Sequence, residues 1–557
     1  MNSDTLPKPV PKDFYPLKEP GFADPTDENR PTRLCICFSD VHFTDCTVGN
    51  QGADAVVWEQ VFSRIEDLCV DWEAEELTLV LVGDVADMIR TGLWAKNGVY
   101  PWERGRPEFK RVLGEIMDGI VHHHATPPST GSGCGFFHLL QHLEGRLKDY
   151  RFEGNTSQVK KIRTLVLLGN HDKEICADDE TLKKFYEQCL GRPVEQLSDE
   201  YRRWVGKMYF EDEQKYLDPG RKSVPWLPFY WGDPGFRLFV THGQWRDKEN
   251  SRSIPRSGKV PGWQAGDGWQ IERWQKMAFA PFTEACFGDT VAAGVLSGFI
   301  YRATKKLAES KEIPEEEKTK LSKILGELDL YRPTSAAVKR ILDETGEMRS
   351  AGSFRQNPAG NIIEEELLDS IQTWLNWDFT RQSASCGPRI ILRIAKRVVG
   401  IFKRFGARIE LLSLYYILAF TAWLQQGRRN APSADEMRKF PAFKEEYRLC
   451  GFRIHGEGHT HIPLQEDLYF EEPESRQNYT YVNFGTWRDQ LVPKIKGRRN
   501  NWFKRLFRME KTKGYRRRGV GRALVILDKA PENPGEPRPF GYWVEDIMNW
   551  SDKADKL

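Results

Sequence analysis

Seven short apolar runs, most of which stop at a polar residue of the kind that binds ligands, restrict the fold of this chain more than any other feature. They are RLCICFSD (33–40), LTLVLVGD (77–84), IRTLVLLGN (162–170), RLFVTHG (237–243), FRIHGEG (452–458), TYVNFGT (480–486) and ALVILDK (523–529). Their length and their Val, Ile, Leu and Phe content are those of buried strands. Between the first two, Val57, Val61, Ile65 and Leu68 recur at helical spacing, which makes a βαβ unit. An α/β sheet protein is expected. Open α/β sheets gather their ligands beyond the carboxyl ends of the strands, and the unusual polar residues stand there.

At 557 residues the chain is too long for one compact core. The strand-like runs fall into 33–245 and 450–530, separated by 246–449. A structureless loop of that length is not credible inside a domain, so the segment is expected to be a mainly helical insertion. ESKEIPEEEKTKLSKILGELDL reads as a charged helix with an apolar stripe, and RIILRIAKRVVGIFKRFGARIELLSLYYILAFTAWLQQ as an apolar, basic one. Its most apolar part, Leu411 to Leu424, is shorter than the roughly twenty residues that a membrane span needs. Residues 1–32, with several prolines and no apolar core, read as an extended arm, and 531–557 as a tail. The ten cysteines form no CxxC pair, and Cys35 and Cys37 sit inside an apolar run, which suits a reducing compartment. A net charge of +2 gives no general pull towards nucleic acid or membrane. The expected setting is cytoplasmic, either free or peripheral to a membrane.

Five strand ends carry the chemistry: Asp40 and His42 in SDVH, Asp84 and Asp87 in GDVAD, Asn170, His171 and Asp172 in GNHD, His242 in THG, and His459 and His461 in GHTH. Carboxylate, imidazole and amide oxygen with almost no thiolate suit Mn, Fe, Zn or Mg better than a structural zinc site. Two such ions sharing a carboxylate, about 3.5–4 Å apart, clamp both the attacking and the leaving oxygen of an in-line displacement. Phosphate-ester cleavage needs that. Singly the pieces are weak, since DxH and a strand-end GD are common turns. In GNHD and GHTH the glycine is expected to free the backbone beside the ligand. Elsewhere, His122, His123 and His124 read as a solvated loop, His138 and His142 as an i, i+4 pair without a supporting acid, and His455 as packed or solvated.

DxH, GDxxD, GNH[DE], a downstream His and GHxH, in this order, make the chain resemble the calcineurin-like metallophosphoesterases over about 33–245 and 450–530. The resemblance implies a four-layer β-sandwich flanked by helices. It implies that Asp40, His42 and His461 hold one metal and Asn170, His242 and His459 the other, with Asp84 bridging. It implies a metal-bridging hydroxide as nucleophile, with His171 assisting the leaving oxygen and Asp87 fixing the His171 tautomer. Asp87 reads equally well as a helix N-terminal cap. The YVNFGTWRD ending (481–489) resembles that of bacterial members, in which this strand packs beside the metal site, and Asn483 and Thr486 read as structural.

Met88 and Ile89 stand where the protein-phosphatase branch carries an Arg, which weakens a phosphoserine phosphatase reading. Arg90, Arg246 and Lys173 are the phosphate contacts weighed against plain surface charges. Two basic, aromatic-bearing segments, 389–408 and 494–519, suit an anionic membrane surface or a nucleic acid, or simply anchor the insertion. The expected activity is a metal-dependent phosphodiesterase or pyrophosphohydrolase, manganese being one fitting metal. A DNA or RNA nuclease and a metal-bound scaffold without catalysis are the alternatives.

Overall fold

The computed structural model describes residues 23–331 apart from 25–26, 50–51, 128–132, 210–223, 248 and 252–278; residues 358–384 with isolated positions between 340 and 443; and 451–549 apart from 472–475, 494–514, 519 and 534. All seven apolar runs contain strands, and these fall into two mixed five-stranded sheets. The first sheet has the order β14-β13-β1-β2-β5, built from β1 (Arg33–Phe38), β2 (Glu76–Leu81), β5 (Lys161–Val166), β13 (Val520–Asp528) and β14 (Phe540–Asn549). Here β1, β2 and β5 run parallel, and β13 is antiparallel to both of its neighbours, β1 and β14. The second has the order β6-β7-β8-β10-β9, from β6 (Tyr230–Asp233), β7 (Leu238–Thr241), β8 (Ile454–Glu457), β9 (Leu464–Glu471) and β10 (Arg476–Asn483). In it β7, β8 and β10 are parallel. Small pairs β3 (Arg151–Phe152) with β4 (Asn155–Thr156), and β11 (Gln490–Pro493) with β12 (Tyr515–Arg518), lie outside both sheets.

The parallel β1–β2 pair forms around helix α1 (Ala55–Asp71), capped by Asp54, whose carboxylate accepts the Val57 N–H. Its stripe of Trp58, Val61, Phe62, Ile65 and Leu68 is buried, and Trp58 stacks on Trp487 at 4.7 Å. One continuous apolar core runs through both sheets and the helices of the first part of the chain. The sheets are also bound by side chains: Arg33 of β1 reaches Asp233 of β6, and Thr480 of β10 reaches the Tyr542 hydroxyl of β14. Residues 531–557, expected as a tail, instead supply β14, which pairs along the whole of β13. An edge strand carries Glu545 and Asp546 among its aromatics, so it has no continuous apolar run to read.

The described part of 246–449 is mainly helical, with Gly298–Glu309, Glu315–Gly326 and Pro358–Asn376 as its long pieces. They bury Phe299, Leu307, Leu321, Ile324, Leu325 and Ile363 in a core of their own, which Val48 and Leu491 join from the sheet region. The basic segments 389–408 and 494–519 lie almost wholly outside the described residues. Among those described, no helix is long and apolar enough to cross a membrane.

Candidate metal centre

Every candidate ligand follows the carboxyl end of a parallel strand: Asp40 and His42 after β1, Asp84 after β2, Asn170 after β5, His242 after β7, and His459 and His461 after β8. Of the nine non-glycine residues with positive φ among the described residues, five belong to this set: Asp40 (57°), His42 (50°), Asp84 (51°), His459 (67°) and His461 (57°). Left-handed backbone costs a residue with a Cβ of order 1 kcal/mol, so surrounding bonds have to hold it. Asp172 does much of this. Its carboxylate accepts the N–H groups of Asp84 (2.6 Å), Val85 (2.6 Å), Ala86 (2.8 Å) and Gly169 (2.9 Å), a donor set that an ionised carboxylate satisfies. On the far side Thr486 Oγ1 donates to the Asp40 carbonyl and Asn483 Nδ2 to that of Gly458.

The glycine of GHTH differs from expectation. The positive φ falls on the two histidines, while Gly458 is needed for space: a Cβ there would lie 1.9 Å from Ser39 Oγ and 2.3 Å from Asp40 Oδ2. Gly169 of GNHD is confined likewise, by Asp84 Oδ1 at 2.2 Å.

Two groups of donor atoms form. In the first, His461 Nε2 stands 3.1 Å from both Asp40 Oδ1 and His42 Nε2, and His42 Nε2 is 3.7 Å from Asp84 Oδ2. The four residues bring ligand atoms within 4.8 Å of one another and could hold a metal ion. In the second, Asn170 Oδ1 lies 2.9 Å from His459 Nδ1 and 3.2 Å from His242 Nε2, which is 3.4 Å from Asp84 Oδ2. Ligands of an ion with bonds of roughly 2.1 Å are separated by such distances.

The proton inventory fits a cation as well. His242 Nδ1 faces the Val82 carbonyl at 2.8 Å, which can only accept, so Nδ1 carries the proton and Nε2 the lone pair. His42 Nδ1 faces Asp87 Oδ2 at 2.9 Å and His459 Nε2 faces Asp247 Oδ2 at 3.2 Å, which leaves His42 Nε2 and His459 Nδ1 as acceptors. His42 Nε2 thus turns a lone pair into the first group and His459 Nδ1 into the second, and no hydrogen-bond donor is aligned on the buried Asp40 Oδ1. Burial opposes a charge on His242, yet Asp84 and Asp40 overrule it and push its pKa up to about 10, so a proton takes the Nε2 lone pair when no other cation stands beside Asp84. Burial would also raise Asp40, but His242 and His461 lower it to about 2. The buried carboxylates call for positive charge between them, and the donor set fits divalent ions.

Beside the first group, Asp87 takes His171 Nδ1 on one oxygen (2.8 Å) and His42 Nδ1 on the other. It also accepts the N–H groups of Ile89 and Arg90, which closes a turn and caps no helix: the next helix begins at Leu93 behind Gly92, so the helix-cap reading does not hold. Burial opposes its ionisation, but His171 and Arg90 keep it well below the usual carboxylate range.

The cations weighed as phosphate contacts are otherwise engaged. Arg90 pairs with Asp87 (3.2 Å) and with Asp329 of the insertion (2.8 Å). Arg246 donates twice to the buried Glu457 and lies over the Phe440 ring, so its charge is spent under β8. Lys173 is buried against Asp289 (2.8 Å) and Cys286. His455 is fully buried, bonded to Glu457 and packed on Phe239 and Phe440. His122–His124 form the end of helix α3 (Phe109–His124) rather than a loop, and His124 is buried against the Thr44 carbonyl. His138 and His142 sit on a helix (Phe136–Asp149), where His142 Nδ1 donates to the His138 carbonyl. Asp247 went unnoticed in the sequence, its one signal being an acid five residues beyond His242.

No family model, no curated protein and no solved structure matches this chain.

Proposed function

We propose that the protein is a two-metal phosphoesterase that hydrolyses a phosphodiester or a pyrophosphate. The observation that carries this reading is the position of Asp84: Oδ2 stands between His42 of one donor group and His242 of the other, while Oδ1 accepts the N–H of His171. Asp40, His42 and His461 would hold one ion and Asn170, His242 and His459 the second, with Asp84 shared. Two divalent cations there, when bound, supply Lewis acidity towards phosphoryl oxygens and lower the pKa of water towards neutrality.

The remaining chemistry falls to the chain. For Nε2 of His171 to give a proton to the leaving oxygen the ring enters the step doubly protonated, and Asp87, accepting from Nδ1, holds the other proton there as the ring becomes neutral. His171 is partly exposed, whereas Asp87 is fully buried, as a proton donor to substrate and its fixed partner should be. The pairing of Arg246 with Glu457 and of Lys173 with Asp289 favours a reacting phosphoryl group of single charge, as in a diester or a pyrophosphate diester, over a monoester dianion, which needs more positive charge around it. Two mixed sheets with helices against the first support the four-layer β-sandwich.

Protein loaded with Mn²⁺ is expected to cleave bis-p-nitrophenyl phosphate or a nucleotide-sugar pyrophosphate in preference to p-nitrophenyl phosphate and single-stranded DNA. Turnover of the monoester alone would refute the diesterase reading, preferred cleavage of DNA would make the chain a nuclease, and bound metal without any turnover would leave a scaffold.

A further inference from the structure

Two arginines meet on one oxygen beside the first donor group. Arg90 Nε lies 2.8 Å and Arg488 Nη2 2.6 Å from Asp329 Oδ2. Arg90 comes from the turn after β2 and Arg488 from the segment after β10, whereas Asp329 belongs to the short turn Leu328–Leu330 of the insertion. The three side chains are 12%, 3% and 11% exposed, so the cluster is closed off from bulk water. Arg90 Nη1 also reaches Asp87 Oδ2, the oxygen that holds His42. The arginine pair therefore abuts the ligand His42 on one side and the insertion on the other.

One guanidinium would suffice to anchor the insertion. Arg90 divides its charge between Asp87 and Asp329, and a second guanidinium, brought from a distant segment to the same Asp329 oxygen, is more than that anchor requires. Converging guanidinium groups are how proteins grip phosphoryl oxygens, which carry more charge than one carboxylate. We propose that Arg90 and Arg488 form an anion subsite next to the metal centre, which Asp329 of the insertion occupies until a second phosphoryl group of the substrate takes its place. This rests on the phosphoesterase reading for its purpose and narrows the substrate to one bearing a further phosphoryl group, such as a pyrophosphate. The Leu328–Leu330 turn then serves as a cover that the substrate's own charge releases.

Binding of pyrophosphate, used as its uncleavable methylene analogue, to the full-length, Mn²⁺-loaded protein, followed by calorimetry, tests the subsite without turnover. Asp329→Asn is expected to bind about tenfold more tightly than wild type, since the internal competitor is gone. Adding Arg488→Gln to it should abolish the gain. Asp329→Asn should also melt lower than wild type without pyrophosphate and gain more from its addition. Unchanged or weaker binding by Asp329→Asn, with a melting loss that pyrophosphate does not restore, would make Asp329 an anchor only and overturn the proposal. Should Asp329→Asn not fold, Arg488→Gln alone decides: about tenfold weaker binding is expected, and unchanged affinity overturns the subsite. A wild-type protein that turns over no substrate, combined with the expected affinity changes, would sink the phosphoesterase reading and leave the subsite standing. Normal turnover without those changes would do the reverse.

Discussion

Strand β1 joins two charged clusters of opposite character. At its amino end Arg33 donates to Asp233 and Asp528, and Asp528 is also held by Arg30 and Arg538. Donors face acceptors there, and the cluster binds the two sheets and residues 27–32 together: Arg538 also donates to the carbonyls of Glu28, Arg30 and Pro31. Roughly 20 Å away, beyond the carboxyl end, acceptors crowd together without enough donors between them. His42 Nε2 and His459 Nδ1 turn lone pairs towards a space bordered by Asp40 Oδ1, Asp84 Oδ2 and Asn170 Oδ1, on backbone held largely in left-handed conformation. A cluster that satisfies itself contributes stability; one that does not, yet is built with this much support, is built for something that binds.

The contrast is broken most severely at Asp84. Asp84→Asn should fold, because Asp172 still holds the loop, but lose the shared ligand of both groups. Metal content measured by mass spectrometry should fall from about two ions per chain to one or none, with turnover abolished. Full metal and activity would remove the two-metal reading. His171→Ala separates binding from chemistry, since its ring is in neither donor group. It should keep its metal and lose about 10²–10⁴ in kcat. A wild-type kcat would take His171 out of the mechanism.

The parallel strands could be read from the sequence because buried strands leave contiguous apolar runs, and their ends because Asp, Asn and His in order after such runs have few other uses. Two edge strands could not: β9 and β14 mix charge with apolar residues, whereas the edge strand β5 kept a contiguous apolar run. The roles of Arg90, Arg246 and Lys173 were illegible for a different reason. Whether a cation faces a substrate or a carboxylate depends on contacts such as Asp329, Glu457 and Asp289, which lie more than a hundred residues away in the chain.

Asp247 sharpens the comparison within the metal edge. The first donor group has its imidazole held by Asp87, fully buried, whereas the second relies on Asp247, whose side chain is 37% exposed. Carboxylates behind a metal-binding histidine orient the ring and raise its basicity, and losing one weakens metal binding about 10–100-fold. Asp247→Asn is therefore expected to weaken one of two metal sites by that factor and leave the other alone, which competition with a metal-binding dye would resolve as two affinities drawing apart. An equal loss at both sites would mean that the two groups do not bind independently.

The smallest effect on turnover belongs to the amino-end cluster. Burial alone would raise the Asp528 carboxyl, but Arg30, Arg33 and Arg538 hold it below the ordinary carboxylate range. A carboxylate depressed in the folded state contributes stability that is present above its unfolded pKa, about 3.9, and lost as the pH falls through the folded value. Asp528→Asn should cost about 3 kcal/mol at neutral pH, because three arginines lose their shared anion, and it should flatten the stability loss below about pH 4. Its kcat at neutral pH should match wild type in the temperature range where it remains folded. A fall in kcat without a fall in melting temperature would mean that the two ends of β1 are coupled, and that the self-satisfied cluster does more than hold the sheets together.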